Sequence, residues 1–334
     1  MDDMTVRQAS RAYNEKNDAL ALFSLGANFL VYFGSLYLAI RAAQLEIWWL
    51  YAPLVVVLAL AAGRLYVLEH DFGHLSFFSK KKWNVLGGHA VSPFTLAEFY
   101  TMQYNHDEHH RQIGNLEHRE AGEIFTMTLR EWNEAGFGKR LYYRLYRNPF
   151  VLIPLGAFYT YFLVWRFPKN TMKVAPKSVL LHNIVLLAWW GLVYALAGWT
   201  GVLTIWLSIF VAGCLGVFLV YLQHNFEDTY WDRRPDLSFD QAALQGASCL
   251  SFGTWFDEAV ANITKHDIHH LNASIPCYRL RQAHRELEDI FPLRRISFRE
   301  ALHAFTLKLW DEETDQLVPF PKERQMAGAP TPAE

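Results

Sequence analysis

The residues in this chain whose spacing could do chemistry are histidines. Three patterns stand out: His70-Asp-Phe-Gly-His74, His106-Asp-Glu-His109-His110 and His266-Asp-Ile-His269-His270. On a helix, residues at i, i+3 and i+4 share a face, so each pattern aims two or three imidazoles in one direction. His224, in Gln223-His-Asn-Phe-Glu227, adds a ninth. Nine imidazoles are too many for one metal ion, because structural zinc takes four ligands and catalytic zinc three plus water. The count favours two ions of four or five nitrogens each, with positions left for water or dioxygen. Imidazole suits Zn, Cu, Fe and Ni, so ligand type alone leaves the metal open. No pair of Glu-x-x-His motifs occurs, which separates the pattern from carboxylate-rich di-iron bundles. His89, His118, His182, His284 and His303 stand alone and read as structural. The three cysteines, Cys214, Cys249 and Cys277, are isolated, which argues against a disulfide framework or a thiolate-held cluster.

These imidazoles need a frame, and hydropathy supplies one. Hydrophobic residues make up 52% of the 334 and charged residues only 19%, short of the roughly 25% charge of a soluble domain. Such a chain meets lipid. Four apolar stretches, 19–40, 47–68, 179–200 and 202–222, hold 21 or 22 residues each. At about 1.5 Å per residue, each can cross a hydrocarbon core of about 30 Å. A fifth, 149–165, has 17 residues with Pro149 and Pro154 inside it, and is expected to lie in the interface or re-enter. With four crossings, 29 of the 31 Lys and Arg fall on one side, the exceptions being Arg41 and Arg64. Basic residues mark the cytoplasmic side. Both termini and all the histidine patterns are therefore expected there, with only 41–46 and Gly201 on the other face.

The expected fold is an all-α integral membrane protein of one domain, four transmembrane helices under a cytoplasmic helical cap that carries the histidines. His70 follows the second span by two residues and His224 follows the fourth by two, so all nine imidazoles sit at one level. The segment 139–148 (KRLYYRLYRN) reads as a positive anchor at the interface, and Arg64 as a side chain that snorkels to the headgroups, in preference to one that holds an acidic group on a substrate or partner. The stretch 326–334 is small, contains proline and is expected to be disordered. Residues 1–18 lack the layout of a cleaved signal peptide. A net charge of −2 gives no footing for nucleic acid.

The series H-x-x-x-H, H-x-x-H-H, H-x-x-H-H resembles the membrane fatty acid desaturases and their hydroxylase relatives. The flanking text at 70–78 (HDFGHLSFF), 143–150 (YRLYRNPF), 223–231 (QHNFEDTYW) and 269–280 (HHLNASIPCYRL) is similar to bacterial acyl-lipid desaturases. The likeness covers roughly residues 60 to 285. It implies two iron ions that activate dioxygen as co-substrate and abstract hydrogen from an unactivated acyl methylene. It also implies that His70, His74, His106, His109, His110, His266, His269 and His270 are ligands, with His224 as the extra ligand between boxes two and three. Two positions depart from the family pattern: Phe72 stands where a small residue or Cys is usual, and Asp267 where His is frequent. Each box thus begins His-Asp, and Asp71, Asp107 and Asp267 are candidates to orient a ligand ring from another box by accepting its second N–H.

The reaction expected from this resemblance is dioxygen-dependent desaturation of an acyl-lipid or acyl-thioester; hydroxylation, acetylenation and oxidative decarboxylation share the same site. Desaturation needs two outside electrons. The chain has no C-x-x-C-H haem attachment and no Gly-rich dinucleotide loop, so a separate carrier of ferredoxin or flavodoxin type is expected at the cytoplasmic face of a bacterial inner membrane. Two other classes compete. A metal transporter needs polar ligands near mid-membrane, where the spans hold only His182 at an edge. A metal-dependent phosphohydrolase would use the His-Asp pairs but leaves the paired H-x-x-H-H boxes unexplained.

Overall fold

A computed structural model describes residues 5–119, 124–166, 174–233 and 239–322. The expected disordered stretch, 326–334, lies outside the described residues. Two long helices open the frame, α2 (Asp18–Gln44) and α3 (Trp48–Gly73), after a one-turn α1 (Val6–Ser10). Asn17 caps α2 by accepting the Leu20 N–H at 3.0 Å. Buried Asn28 donates to the Ala61 carbonyl at 3.1 Å and pins the two helices side by side. Then come α4 (Lys81–Thr95) and α5 (Phe99–Arg111), the latter capped by Glu98, whose carboxylate accepts the Thr101 N–H at 2.8 Å.

The longest helix, α9 (Pro176–His224), has 49 residues and one non-helical residue, Gly198, at φ 61° and ψ −155°. Straight, it would span about 74 Å. Yet Ser178 near its start bonds Glu98, the cap of α5, while His224 at its end touches His109, two residues from the other end of α5, a helix only about 20 Å long. Both ends therefore sit at one end of the bundle, and α9 is a hairpin folded at Gly198, where glycine tolerates a positive φ. The reversal falls there and not at Gly201, as hydropathy alone placed it.

By length and composition four helices can cross a membrane: α2, α3, Pro149–Arg166 and Pro176–His224. Pro149–Arg166 runs as α8 (Pro149–Phe158) through a widened turn, Tyr159–Leu163, and a tight one, Val164–Arg166. Its two ends are tied to the same level. Arg147, just before it, bonds Asn225 beside His224, and Arg166 bonds the Leu96 carbonyl. Leu96 in turn follows Thr95, which donates at 2.5 Å to Glu69, next to His70.

The remaining helices form a cap: α6 (Leu129–Glu134), α7 (Phe137–Tyr146), α10 (Phe239–Gly246), α11 (Thr254–Ala259), α12 (His266–Leu271), α13 (Cys277–Glu288) and α14 (Phe298–Ala304). The chain is mostly helical, as expected, but not purely so: among the described residues the cap also carries five strands of two or three residues. β1 (Met127–Thr128) lies parallel to β4 (Leu309–Asp311), which pairs antiparallel with β5 (Gln316–Val318); β2 (Cys249–Ser251) lies parallel to β3 (Arg295–Ser297). Strands this short hold too few residues for a period-two pattern to show in sequence.

Candidate metal centre

Four helix ends build the centre. The last turn of α3 brings His70 and, as its cap residue, His74; the end of α5 brings His106, His109 and His110. The last residue of α9 is His224, and α12 brings His266, His269 and His270. The nine converge as two sets, His70, His74, His106, His110 and His269 in one and His109, His224, His266 and His270 in the other, with the ring nitrogens of each set within 4.8 Å of one another. The sets adjoin, since the His110 and His270 rings stack at 4.1 Å.

The nitrogens fit a bound cation better than they fit each other. His266 Nε2 lies 3.0 Å from both His224 Nε2 and His270 Nε2, and His110 Nε2 lies 2.9 Å from His106 Nε2 and 3.1 Å from His269 Nε2. One ring N–H can serve one such contact, not two. Two nitrogens each about 2.0–2.1 Å from a common ion sit about 2.9 Å apart at a right angle and about 3.4 Å apart at the tetrahedral angle. The observed spacings fall in that interval. Nε2 of His70 and of His74 are buried and make no hydrogen bond among the described residues. Burial also holds His74, His106, His109, His110, His266, His269 and His270 well below the ordinary histidine pKa, with neighbouring imidazoles adding to the shift. Neutral rings keep the lone pair that a metal needs.

His224 shows how the protein sets a ring. Its Nδ1 lies 2.8 Å from the Gly246 carbonyl, an acceptor only, so Nδ1 carries the proton and Nε2 turns its lone pair to the centre. The three Asp candidates differ from expectation. Asp71 sits beside a ring of its own box, His70 Nδ1 at 3.4 Å, and its other oxygen accepts the Cys277 N–H at 2.6 Å. Asp267 accepts the Ile268 N–H at 2.8 Å and faces His284 Nε2 at 3.4 Å. Asp107 is exposed; its backbone carbonyl accepts from Arg111, and among the described residues its carboxylate accepts no hydrogen bond, though it feels the charge of Arg111 and of His70. None of the three bonds a ring of another box among the described residues: the residue after a ligand points about 100° away from the ligand face, and a different element meets it there.

His284, taken from sequence as a lone structural residue, is thus linked to box three through Asp267. A signal for it existed, because it interrupts the buried stripe Leu280, Ala283, Leu287 of an amphipathic helix. The segment 139–148 is also more than a surface anchor. Tyr143 is buried and donates to the Lys308 carbonyl at 2.6 Å, and Arg147 is fully buried. Arg147 donates to Asn225, Thr126 and the Leu307 carbonyl, and lies over the Tyr221 ring at 5.0 Å. A buried cation costs several kcal/mol unless its donors are met. Here both terminal nitrogens are met, Nη2 by the residue that follows His224, while Nε has no partner among the described residues; the position of His224 is thereby fastened to the cap. Phe72 turns away from the histidines into Phe77 and Phe78, and a side chain at Gly87 would collide with its ring at 2.8 Å. Its bulk is absorbed by a glycine, not by the centre.

A helical frame with four helices fit to cross a membrane, holding nine imidazoles in two sets able to bind metal, defines a membrane protein with a candidate histidine metal site. The chain belongs to the fatty acid desaturase family, whose model (Fatty acid desaturase) matches residues 47–301, a span that includes all nine histidines. It is similar to a "Fatty acid desaturase" of Bacillus subtilis, 31% identical over 92% of this chain and 88% of that protein. It is also similar to two Synechocystis proteins. One is an "sn-1 oleoyl-lipid 12-desaturase", 27% identical over 85% of this chain and 77% of the relative. The other is an "sn-1 acyl-lipid omega-3 desaturase (ferredoxin)", 26% identical over 80% and 76%. The chain is therefore an oxidoreductase, a membrane fatty acid desaturase.

Proposed function

We propose that this desaturase inserts a double bond into the acyl chain of a membrane lipid, using dioxygen and two irons held by the nine histidines. The observation that carries the reading is the pair of converging imidazole sets, five and four strong, side by side at the ends of apolar helices. Bound there, the irons supply dioxygen activation and hydrogen abstraction. In balance, two hydrogens leave adjacent methylenes, dioxygen becomes two waters, and a donor supplies two electrons with two protons. The protein's own part is placement: Gly246 fixes the His224 tautomer, Asp71 and Asp267 stand beside the ligand segments, and burial favours the neutral form of His74, His106, His109, His110, His266, His269 and His270.

The four-span topology, with both termini and the centre on the cytoplasmic face of a bacterial inner membrane, is part of the same proposal. The α9 hairpin and the two tied ends of Pro149–Arg166 support it. An acyl-lipid substrate and a ferredoxin-type donor are proposed from the names of the Synechocystis relatives. A transporter is disfavoured because the histidines cluster at helix ends, not at mid-span.

The test is expression in a host that lacks desaturases, with mass spectrometry of its lipids under air and without oxygen. A new acyl species two mass units lighter, formed only with oxygen and lost in His110→Ala, is expected. A hydroxylated product would move the chain to the sister chemistry, and product formed without oxygen would overturn the proposal.

A further inference from the structure

A cavity of about 1300 Å³ opens beside the centre, between α2, α3, α11 and α13, and none of the nine histidines lines it. Its lower walls are apolar, with Leu20, Phe23, Ala27 and Val31 from α2 and Val57 and Leu60 from α3. These positions recur every three or four residues, so each helix gives the groove one face. Asn28, bonded to Ala61, lies within its wall. From Leu20 to Val31 the groove runs about 16 Å along α2, close to the thickness of one leaflet, about 15 Å. Phe23 in its wall is 72% exposed, as a residue that meets lipid is.

The mouth is cationic. Five basic side chains line the cavity, Arg64, Lys265, Arg281, Arg285 and Arg295, against two acidic ones, Asp257 and Glu258. Lys265 pairs with Asp257 at 3.1 Å, Arg281 with Glu258 at 2.8 Å, and Arg295 with Glu288. Arg64 bonds only the backbone carbonyl of Glu258, and neither Arg64 nor Arg285 has a carboxylate within ion-pair distance among the described residues. Two guanidinium groups without a carboxylate within ion-pair distance thus face this groove, Arg285 with Glu286 as its neighbouring acid.

We infer that this cavity binds an anionic glycerophospholipid, with its phosphate between Arg64 and Arg285 and an acyl chain laid along α2 and α3. Guanidinium matches phosphate in geometry as well as charge. A soluble acidic protein could reach the mouth but not the α2–α3 groove, and a free phosphate would leave the apolar walls uncovered. The lipid is held, not oxidised, because the cavity wall stops short of the histidines. The wall reaches them through Cys277, whose N–H is bonded to Asp71, through His284, which faces Asp267, and through Lys265, which precedes His266 and accepts the His269 N–H at 3.1 Å. The bound lipid would therefore brace boxes one and three from behind.

The test is native mass spectrometry of the purified full-length chain, released from detergent carrying equal phosphatidylglycerol and phosphatidylcholine. One phosphatidylglycerol per chain is expected to be retained over phosphatidylcholine. Arg64→Gln with Arg285→Gln should lower that retention on the order of tenfold. Ala27→Trp, which fills the groove and leaves the mouth intact, should lower it as well. Metal content and thermal unfolding of each variant report whether it is folded, and lipid retention is read without turnover, so failure of the desaturase reading would not change this result. Equal retention of the two lipids, retention unaffected in both variants, or displacement by inorganic phosphate alone would overturn the inference. So would variants with normal lipid retention whose only defect is weaker docking of an electron carrier.

Discussion

The two histidine sets share α5 and α12 yet differ in their third helix and in their exposure. The five-membered set takes His70 and His74 from the α3 end, and its His74 and His106 are half-buried. The four-membered set takes His224 from α9, and all four of its members are buried. The larger set is partly exposed and has the extra donor, while the smaller one is fully buried and has no donor to spare, His224 included. Because α5 and α12 each feed both sets, neither can shift without the other.

This asymmetry can be broken by substitution. The largest effect is expected for His224→Ala, which should abolish desaturation and cost one of two irons, whereas His303→Ala, at an exposed residue that belongs to neither set and faces Glu227, should keep both. His74→Ala removes one donor of five, so it should keep most of its iron while activity falls by on the order of tenfold or more. Equal iron loss in the two variants would erase the distinction between the sets. Asp71→Asn, which leaves an acceptor for the Cys277 N–H but removes the charge beside His70, should cost about 10–100-fold in activity or metal affinity. An Asp71→Asn enzyme with normal iron and turnover would show that this charge does not reach the centre.

The smallest expected effect concerns the cap that fastens His224. Lys308 donates to the Arg147 carbonyl at 2.7 Å, and burial together with the Arg147 charge brings its pKa down to about 7. Its folded value lies below its unfolded one, so the unfolded chain binds more protons between about pH 7 and the ordinary lysine range. Stability linked to this group is present above that range and is lost as pH falls toward 7. Relative to Lys308→Met, the natural protein should gain thermal stability from pH 7 to pH 9. A parallel pair of curves would mean that Lys308 titrates as an exposed lysine does.

Much of the centre was legible in sequence because i, i+3, i+4 spacing is a property of one helix, and the boxes needed nothing else to aim their rings. His224 was legible from its depth after an apolar run. What sequence could not supply were partners from distant elements. The carbonyl of Gly246, the face of Asp267 toward His284, and the burial of Arg147 under Asn225 all depend on how α7, α9, α10 and α13 pack, with no local pattern to announce it. The reversal within α9 was misplaced by three residues because hydropathy is continuous across it. Only the positive φ of Gly198 marks it, and a glycine is as apolar as its neighbours on either side.

The central claim is that two adjoining sets of imidazoles hold two irons. Its most direct test is iron stoichiometry by plasma mass spectrometry on the active natural protein and on His224→Ala, with Mössbauer spectra of both. About two irons per natural chain, spin-coupled, and about one in the variant are expected. One iron or none in protein that still desaturates, or two in His224→Ala with normal turnover, would contradict it.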